Sequence, residues 1–426
     1  MPRDAQPLAG RRALVTGSAT GIGRATAQRL AADGANVVIN YVGNPDQADG
    51  AVKEVADAGG TAVAIEADVS NEQQVQSMFA RAREEQKYFL ATQQVDEARH
   101  AVFFGRFMRE VVQNGDSYAR SLEATHPELT WGFKKVFARL DKMADELRRD
   151  RSRTKLAQGI ALYHILIEAS LAQPGQHFIE SYLEDRDVLP GFRTGMANVS
   201  LDEQRHIGFG VKLLSDLQEE DPECRDAVAE LLREMFPYTA AVFVPPNWDR
   251  RYSEVFGFTI EEIFAEGMRS IETKMRSAGM PLEQLPAIPI RFDLPVEERV
   301  RHAIVLLQAG VLGAKNGAPS KEPEVLELLF DSLRMSVDPR HSHGRPTTVQ
   351  WDFADAEPWY LRVAGGDASV SAGKAPHADV TLRCDYADWV DVMGGRADPR
   401  LLMLKGKLRP KGNPIALWRM QKLFGR

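Results

Sequence analysis

Three hydrophobic patterns follow one another along this chain. In residues 11–66, short apolar runs alternate with helix-like stretches. Residues 11–17, 36–40 and 61–66 read as strands, joined by a helix ending near Gly34 and another over 45–58. That alternation implies a parallel sheet. From about Glu84 to Ala278 apolar residues recur at three and four, in Glu-, Lys-, Arg-, Ala- and Leu-rich runs with few glycines. The period predicts helices over 86–113, 130–150, 154–180, 183–216, 222–235 and 259–278, with Pro190-Gly191 bending the fourth. Prolines at 281, 286, 289 and 295 read as a linker, and helices follow over 297–313 and 323–335. After Pro346 the period becomes two, and strands are expected around Val349–Phe353, Trp359–Val363 and Val380–Cys384. Helices over 386–393, 399–405 and 413–424 close the chain.

Bulk composition narrows the class without deciding it. A chain of 426 residues, 44% hydrophobic and 27% charged, suits a soluble protein of two to four domains. A net charge of −7 argues against general affinity for nucleic acid or anionic membrane. Two distant cysteines, Cys224 and Cys384, make a disulfide framework unexpected and fit a reducing cytoplasm. The first residues lack a signal-peptide pattern, and no apolar run is long enough to span a bilayer.

The candidate chemistry lies in the helical stretch. Two phrases, Asp96-Glu97-Ala98-Arg99-His100 and Asp202-Glu203-Gln204-Arg205-His206, each place a Glu and a His three residues apart. On a helix that spacing puts both side chains on one face. Paired Glu-x-x-His helices, with carboxylates from other helices, are how four-helix bundles hold two iron or manganese ions. The bland alternative is a pair of surface ion-pairing sites.

Residues 16–23, Thr16-Gly17-Ser18-Ala19-Thr20-Gly21-Ile22-Gly23, with Asp68-Val69 after the third strand, resemble the opening of short-chain dehydrogenase/reductases. Glycines between a strand and a helix let backbone N–H groups approach a pyrophosphate. The resemblance implies dinucleotide contacts from Gly17, Ser18, Gly21, Ile22, Gly23, Asn40, Asp68 and Val69, with Asp68 near the adenine. The second strand ends in Asn40 rather than an acid that would bind a ribose 2′-hydroxyl, which leans toward NADP. The likeness stops near Glu85. The family's catalytic Ser and Tyr-x-x-x-Lys are missing downstream: Tyr163 is followed four residues later by Ile167, and Tyr182 by Arg186.

The helical stretch is similar to the ferritin-like superfamily, most of all ribonucleotide-reductase small subunits and related ligand-binding oxidases. Both Asp-Glu-x-Arg-His phrases, the Tyr163–Ser170 segment and Val188-Leu189-Pro190-Gly191 carry that resemblance. It implies metal ligation by Glu97, His100, Glu168, Glu203 and His206, with open positions for O₂ on two Fe, or Mn and Fe, ions. A sixth carboxylate is expected upstream of Glu97, where the dehydrogenase-like segment stands instead. Glu66 ends a strand, and Glu72, Glu84 and Glu85 are helical candidates. Asp96 and Asp202 each read in two ways, as acceptors for a ligand His ring N–H or as partners of Arg99 and Arg205. His164 and His177 read as polar core histidines, Tyr163 as an ordinary buried tyrosine, and Phe103, Phe104 and Phe107 as core.

Residues 323–426 resemble the sterol carrier protein type 2 domain through Trp359-Tyr360-Leu361, Ala378-Asp379-Val380-Thr381-Leu382, Asp388-Trp389 and Leu404-Lys405-Gly406-Lys407-Leu408. The resemblance implies an apolar tunnel for acyl chains or sterols, while a filled core used only for dimerisation is the alternative. No residue there has catalytic character.

The expected architecture is multidomain: a partial Rossmann α/β unit (1–85), an all-α ferritin-like bundle (86–280), a linker and helix (281–322), and an α+β sterol-carrier-like domain (323–426). The first functional expectation is a di-metal carboxylate oxidase or oxygenase acting on a hydrophobic or lipid-like substrate. A catalytically inactive lipid-binding fusion is the alternative, and an NADP-binding short-chain dehydrogenase-related reductase the second. A hydrophobic small molecule or lipid is the expected partner, with no nucleic acid, no transmembrane segment and a homodimer left open.

Overall fold

The computed structural model describes Leu8, residues 12–71, Gln74, residues 85–342 and residues 345–424. The chain divides into two compact units, 1–97 and 98–426, and the division falls inside one continuous helix.

The first unit is the expected half of a nucleotide fold. Strands β1 (Arg12–Val15), β2 (Asn36–Tyr41) and β3 (Thr61–Glu66) pair in parallel in the order β1-β2-β3. Helices α1 (Gly21–Ala32) and α2 (Pro45–Asp57) are the crossovers. Ala27, Ala31, Val37, Ile39, Ala51 and Val55 form its small core. The alanines let the helices lie close to the sheet.

Helix α3 (Glu85–Phe107) crosses into the second unit and ends in a π-helical turn, Met108–Val112, closed by Gln113 in the left-handed region. Then come α4 (Tyr118–Thr125), α5 (Trp131–Arg149) and α6 (Arg153–Ile160). From α6 the chain continues as a long π-helical stretch, Ala161–Ala172, into α7 (Gln173–Asp185). The expected helix over 183–216 is instead two. Leu189 takes a left-handed conformation (φ 50°), and Pro190 opens α8 (Pro190–Glu220) at its first position. Proline suits a helix start because its missing N–H has no partner there anyway. Helices α9 (Glu223–Thr239) and α10 (Ile260–Ser277) follow, the latter held by a reciprocal cap between Thr259 and Glu262.

The proline-rich stretch from 281 is no free tether. Leu282, Leu285 and Ile288 are buried in the helical core with Leu162, Leu214 and Met235. Helix α11 (Val296–Gln308) then joins a second core, shared with α12 (Pro323–Met335) and a five-stranded sheet. The strands are β4 (Thr347–Phe353), β5 (Trp359–Ala364), β6 (Asp367–Ala372), β7 (Val380–Cys384) and β8 (Arg409–Gly412), in the order β6-β5-β4-β7-β8. Only the β4–β7 pair is parallel. Helices α13 (Tyr386–Met393), α14 (Pro399–Leu404) and α15 (Pro414–Leu423) complete the fold.

An aromatic layer fills the space between helices and sheet. Phe330 of α12 stacks on Trp359 with ring centroids 4.7 Å apart and meets Trp351 edge-on. Trp389 of α13 packs against Trp351, and Tyr386 against Phe353. Burial, with Asp355 adding to it, pushes the Tyr386 hydroxyl up to about 12.

Among the described residues, no helix is long and apolar enough to cross a membrane.

Candidate metal centre and cofactor site

Three helical segments deliver the side chains. Helix α3 carries Glu97 and His100, the π-helical stretch carries His164 and Glu168, and α8 carries Asp202, Glu203 and His206. Two glycines on α8 allow the close approach. A Cβ at Gly210 would lie 2.2 Å from the Cβ of His164, and one at Gly195 would lie 2.1 Å from the Phe103 ring. Only hydrogen fits at these crossings, one on either side of the second Glu-x-x-His phrase. Phe192 adds an aromatic wall, stacked on Phe107 at 3.8 Å and on Phe103 at 5.2 Å.

The polar groups form a braced cluster. Glu203 lies between two imidazoles: its Oε2 is 3.4 Å from His206 Nδ1 and its Oε1 is 3.5 Å from His100 Nδ1. Glu168 lies between His164 and the same His206, 2.7 Å from His164 Nδ1 and 3.7 Å from His206 Nδ1. His206 is 1% exposed and Glu168 4%. Within the second unit, Glu168, Glu203 and His206 each offer one ligand atom, and these atoms all lie within 4.8 Å of one another. His100 stands beside that group rather than in it, with its Nε2 3.2 Å from Asp202 Oδ2.

Asp202 makes both kinds of contact that its sequence left open. It meets the His100 ring, and it also pairs with Arg205 at 2.5 Å and Arg99 at 3.3 Å. Its burial opposes ionisation, but the hydrogen bonds from His100 and Arg205 and the two guanidinium charges outweigh that and hold its carboxyl below the usual value. Asp96 is buried on α3. His164, read from sequence as a core histidine, is in direct contact with Glu168; its spacing four residues before that Glu was the available signal. His177 lies among Phe178 and Phe258, away from the cluster. Tyr163 meets the His164 ring edge-on.

The residues fit a cation. Two buried carboxylates held this close, Glu168 and Glu203, repel one another unless a proton or a metal ion stands between them. Glu203 Oε2 is buried and has no hydrogen-bond partner among the described residues. A set of carboxylate oxygens and imidazole nitrogens suits iron or manganese. Of the upstream carboxylates, Glu66 ends β3 and accepts from the Gly43 N–H. Glu72 and Glu84 lie outside the described residues, as does the side chain of Glu85.

The N-terminal loop is built differently. Gly17 and Gly21 have positive φ, and a Cβ at Gly23 would lie 2.7 Å from the Gly17 carbonyl oxygen. Ser18 is buried and donates to the Val15 carbonyl. Asn40 departs from its expected role beside a ribose. Its side chain is buried, accepts from Gly17 N–H at 3.1 Å and donates to the Ala67 carbonyl at 2.8 Å, so it pins the glycine loop to the sheet. Asp68 accepts from both the Ser70 hydroxyl and its N–H, which holds its carboxyl below the usual value. Ile22 and Val69 are exposed.

An apolar cavity of about 120 Å³ lies within the helical part, lined by Leu166, Ser170, Leu232, Phe264, Ile288 and Ala303 among others. It is outside the aromatic layer of the sheet. Leu166 and Ser170 stand two residues either side of Glu168. In the sheet layer, the indole N–H groups of Trp351, Trp359 and Trp389 and the Tyr386 hydroxyl are buried with no hydrogen-bond partner among the described residues.

Comparison with known proteins assigns the two ends of the chain. Residues 11–89 match the short chain dehydrogenase family, and residues 336–425 match the SCP-2 sterol transfer family. The chain therefore carries a short-chain dehydrogenase portion at one end and an SCP-2 domain at the other. The first match ends in the opening turn of α3, and neither covers residues 90–335. Glucose 1-dehydrogenase 2 of Bacillus subtilis is 44% identical over 77 residues, covering 18% of this chain and 30% of that protein. The promiscuous reductase LugOII of lugdunomycin biosynthesis has 44% identity and a TM-score of 0.17, over 17% of this chain and 30% of that structure. The landomycin C-6 ketoreductase LanV, solved with bound NADP and rabelomycin, has 36% identity and the same TM-score, over 17% and 30%. The chain thus spans about 30% of the length of the curated relatives it matches.

Proposed function

We propose that the helical middle, about residues 86–280, is a ferritin-like carboxylate–histidine domain. It would hold Fe or Mn ions through Glu97, His100, Glu168, Glu203 and His206, and serve an O₂-dependent oxidase or oxygenase acting on a hydrophobic substrate. The convergence of Glu168, Glu203 and His206 within 4.8 Å carries this reading, with Glu97 and His100 sharing the helical face that the sequence spacing implies. A bound redox-active ion would supply the electron-transfer chemistry. The chain's own residues hold and tune the site. Asp202 fixes the orientation of His100, and Arg99 and Arg205 keep Asp202 charged. His164 does the same for Glu168. Phe103, Phe107 and Phe192 wall off one side. The SCP-2 domain, about residues 323–426, would supply the hydrophobic substrate. Its buried indole and phenol donors support a ligand with an acceptor oxygen, such as a carboxylate or hydroxyl on an apolar body.

The comparisons favour a second reading over the first: an NADP-dependent reductase related to short-chain dehydrogenases. The glycine loop supports dinucleotide binding by Gly17, Ser18, Gly21, Ile22 and Gly23, with Asp68 and Val69 nearby in that family's arrangement. Two features weigh against catalysis by this route. The chain spans a third or less of those relatives, and no Tyr-x-x-x-Lys follows to deliver a proton to a carbonyl. Metal analysis tests the first reading and NADPH titration by nucleotide fluorescence the second. About two Fe or Mn per chain supports the oxidase, and no metal after iron-replete expression contradicts it. No fluorescence change up to about millimolar NADPH, a weak limit for a specific site, contradicts the reductase.

A further inference from the structure

Residues 400–426 carry eight Lys and Arg and no Asp or Glu, in a chain whose net charge is −7. The same stretch exposes large apolar side chains: Leu401 at 53%, Leu404 at 84%, Ile415 at 57% and Trp418 at 53%. Helix α15 is oriented firmly. Ala416 and Leu423 are buried in the sheet core, with Leu417, Met420 and Phe424 packed against it. Ile415, Trp418 and Lys422, at helical spacings of three and four, therefore lie on the outer face, with Lys422 Nζ 5.7 Å from the Trp418 ring. Leu401 and Leu404 are one turn apart on α14. Lys405, Arg409, Lys411 and Lys422 are exposed. Arg400 pairs with Asp398 and Lys407 with Asp388, while Lys405, Lys411 and Arg419 have no ion-pair partner among the described residues.

We infer that this face of the SCP-2 domain docks on an anionic lipid bilayer, lying in its interface. Cations meet lipid headgroups, while Trp and Leu tips enter the acyl boundary beneath them. Other occupants fit less well. A second copy of the same face would set like charges against like. Nucleic acid would satisfy the cations but leave Leu404 and Trp418 against phosphate. The chain's overall negative charge, which speaks against general membrane affinity, would orient it so that only this end approaches. The inference stands on this surface alone and does not require the metal centre.

The test is flotation of the full-length protein with phosphatidylcholine vesicles, with and without phosphatidylserine. Binding is expected only to the phosphatidylserine vesicles, to fall steeply with salt, and to shift the Trp418 emission to the blue. Leu404→Asp with Trp418→Asp, and separately Lys405→Glu with Lys411→Glu, should each weaken it about tenfold or more. These residues are exposed, so circular dichroism and melting should stay as in the parent. Absence of binding to the anionic vesicles overturns the inference. So does binding that either pair of substitutions leaves intact, or self-association by sedimentation that both pairs abolish.

Discussion

The two candidate sites of this chain are built on opposite principles. In the helical cluster, buried polar side chains brace one another: Glu203 between His100 and His206, Glu168 between His164 and His206, and Asp202 behind His100. In the N-terminal loop, backbone does the shaping. Gly17, Gly21 and Gly23 set the path, Asn40 pins it, and Ile22 faces outward. A buried charged cluster is costly unless something compensates it, whereas an exposed glycine loop costs little when empty. The first arrangement therefore argues for its ligand more strongly than the second.

That contrast can be broken in order of expected effect. Glu203→Ala removes the carboxylate standing between both imidazoles, so bound Fe or Mn should drop to background by elemental analysis. Retained stoichiometric metal would place the ligands elsewhere. Gly210→Ala forces a methyl into His164. We expect a loss of about 1–3 kcal/mol in denaturant unfolding, together with weakened metal binding. Asp202→Asn should leave the fold intact and lower metal affinity about 10–100-fold in a chelator competition, the usual size for an outer partner of a ligand His. Gly23→Ala sets a Cβ against the Gly17 carbonyl and should abolish whatever NADPH binding the parent shows, with no change in metal content.

The smallest effect concerns the sheet. Burial of Asp355 opposes its ionisation, but the Lys321 ammonium and the Tyr386 N–H outweigh that, so its folded carboxyl titrates below the ordinary value. A depressed folded value means stability that is full above about pH 4 and lost as pH falls through the folded value. The stability gap between parent and Asp355→Asn should therefore be flat above that pH and shrink below it. A gap that widens on acidification would contradict the assignment.

Much of this was legible from spacing. Glu97 and His100, and Glu203 and His206, announce a shared helical face, and Gly17 to Gly23 announces a strand–loop–helix turn. What was hidden depended on tertiary packing. The π-helical register of Ala161–Ala172 is not a local preference of its residues. Gly195 and Gly210 owe their place to Phe103 and His164, neighbours that are distant in sequence. Pro190 resembled a kink and proved to be a start. Strand β6 has only Ala368 and Val370 on its packed side, so its period was faint. The Gly365-Gly366 pair, both with positive φ and flanked by paired Ala364 and Asp367, was the missed hairpin signal. Strand β8 is four residues with a proline, an edge that alternation cannot reveal. Asn40 was given a ligand role by position, and its buried amide serves the fold instead.

The most direct measurement of the central claim is the metal content of the purified full-length protein after expression in iron- and manganese-replete medium. About two Fe or Mn ions per chain are expected, lost together in Glu203→Ala. A parent protein that stays folded and carries none would contradict it.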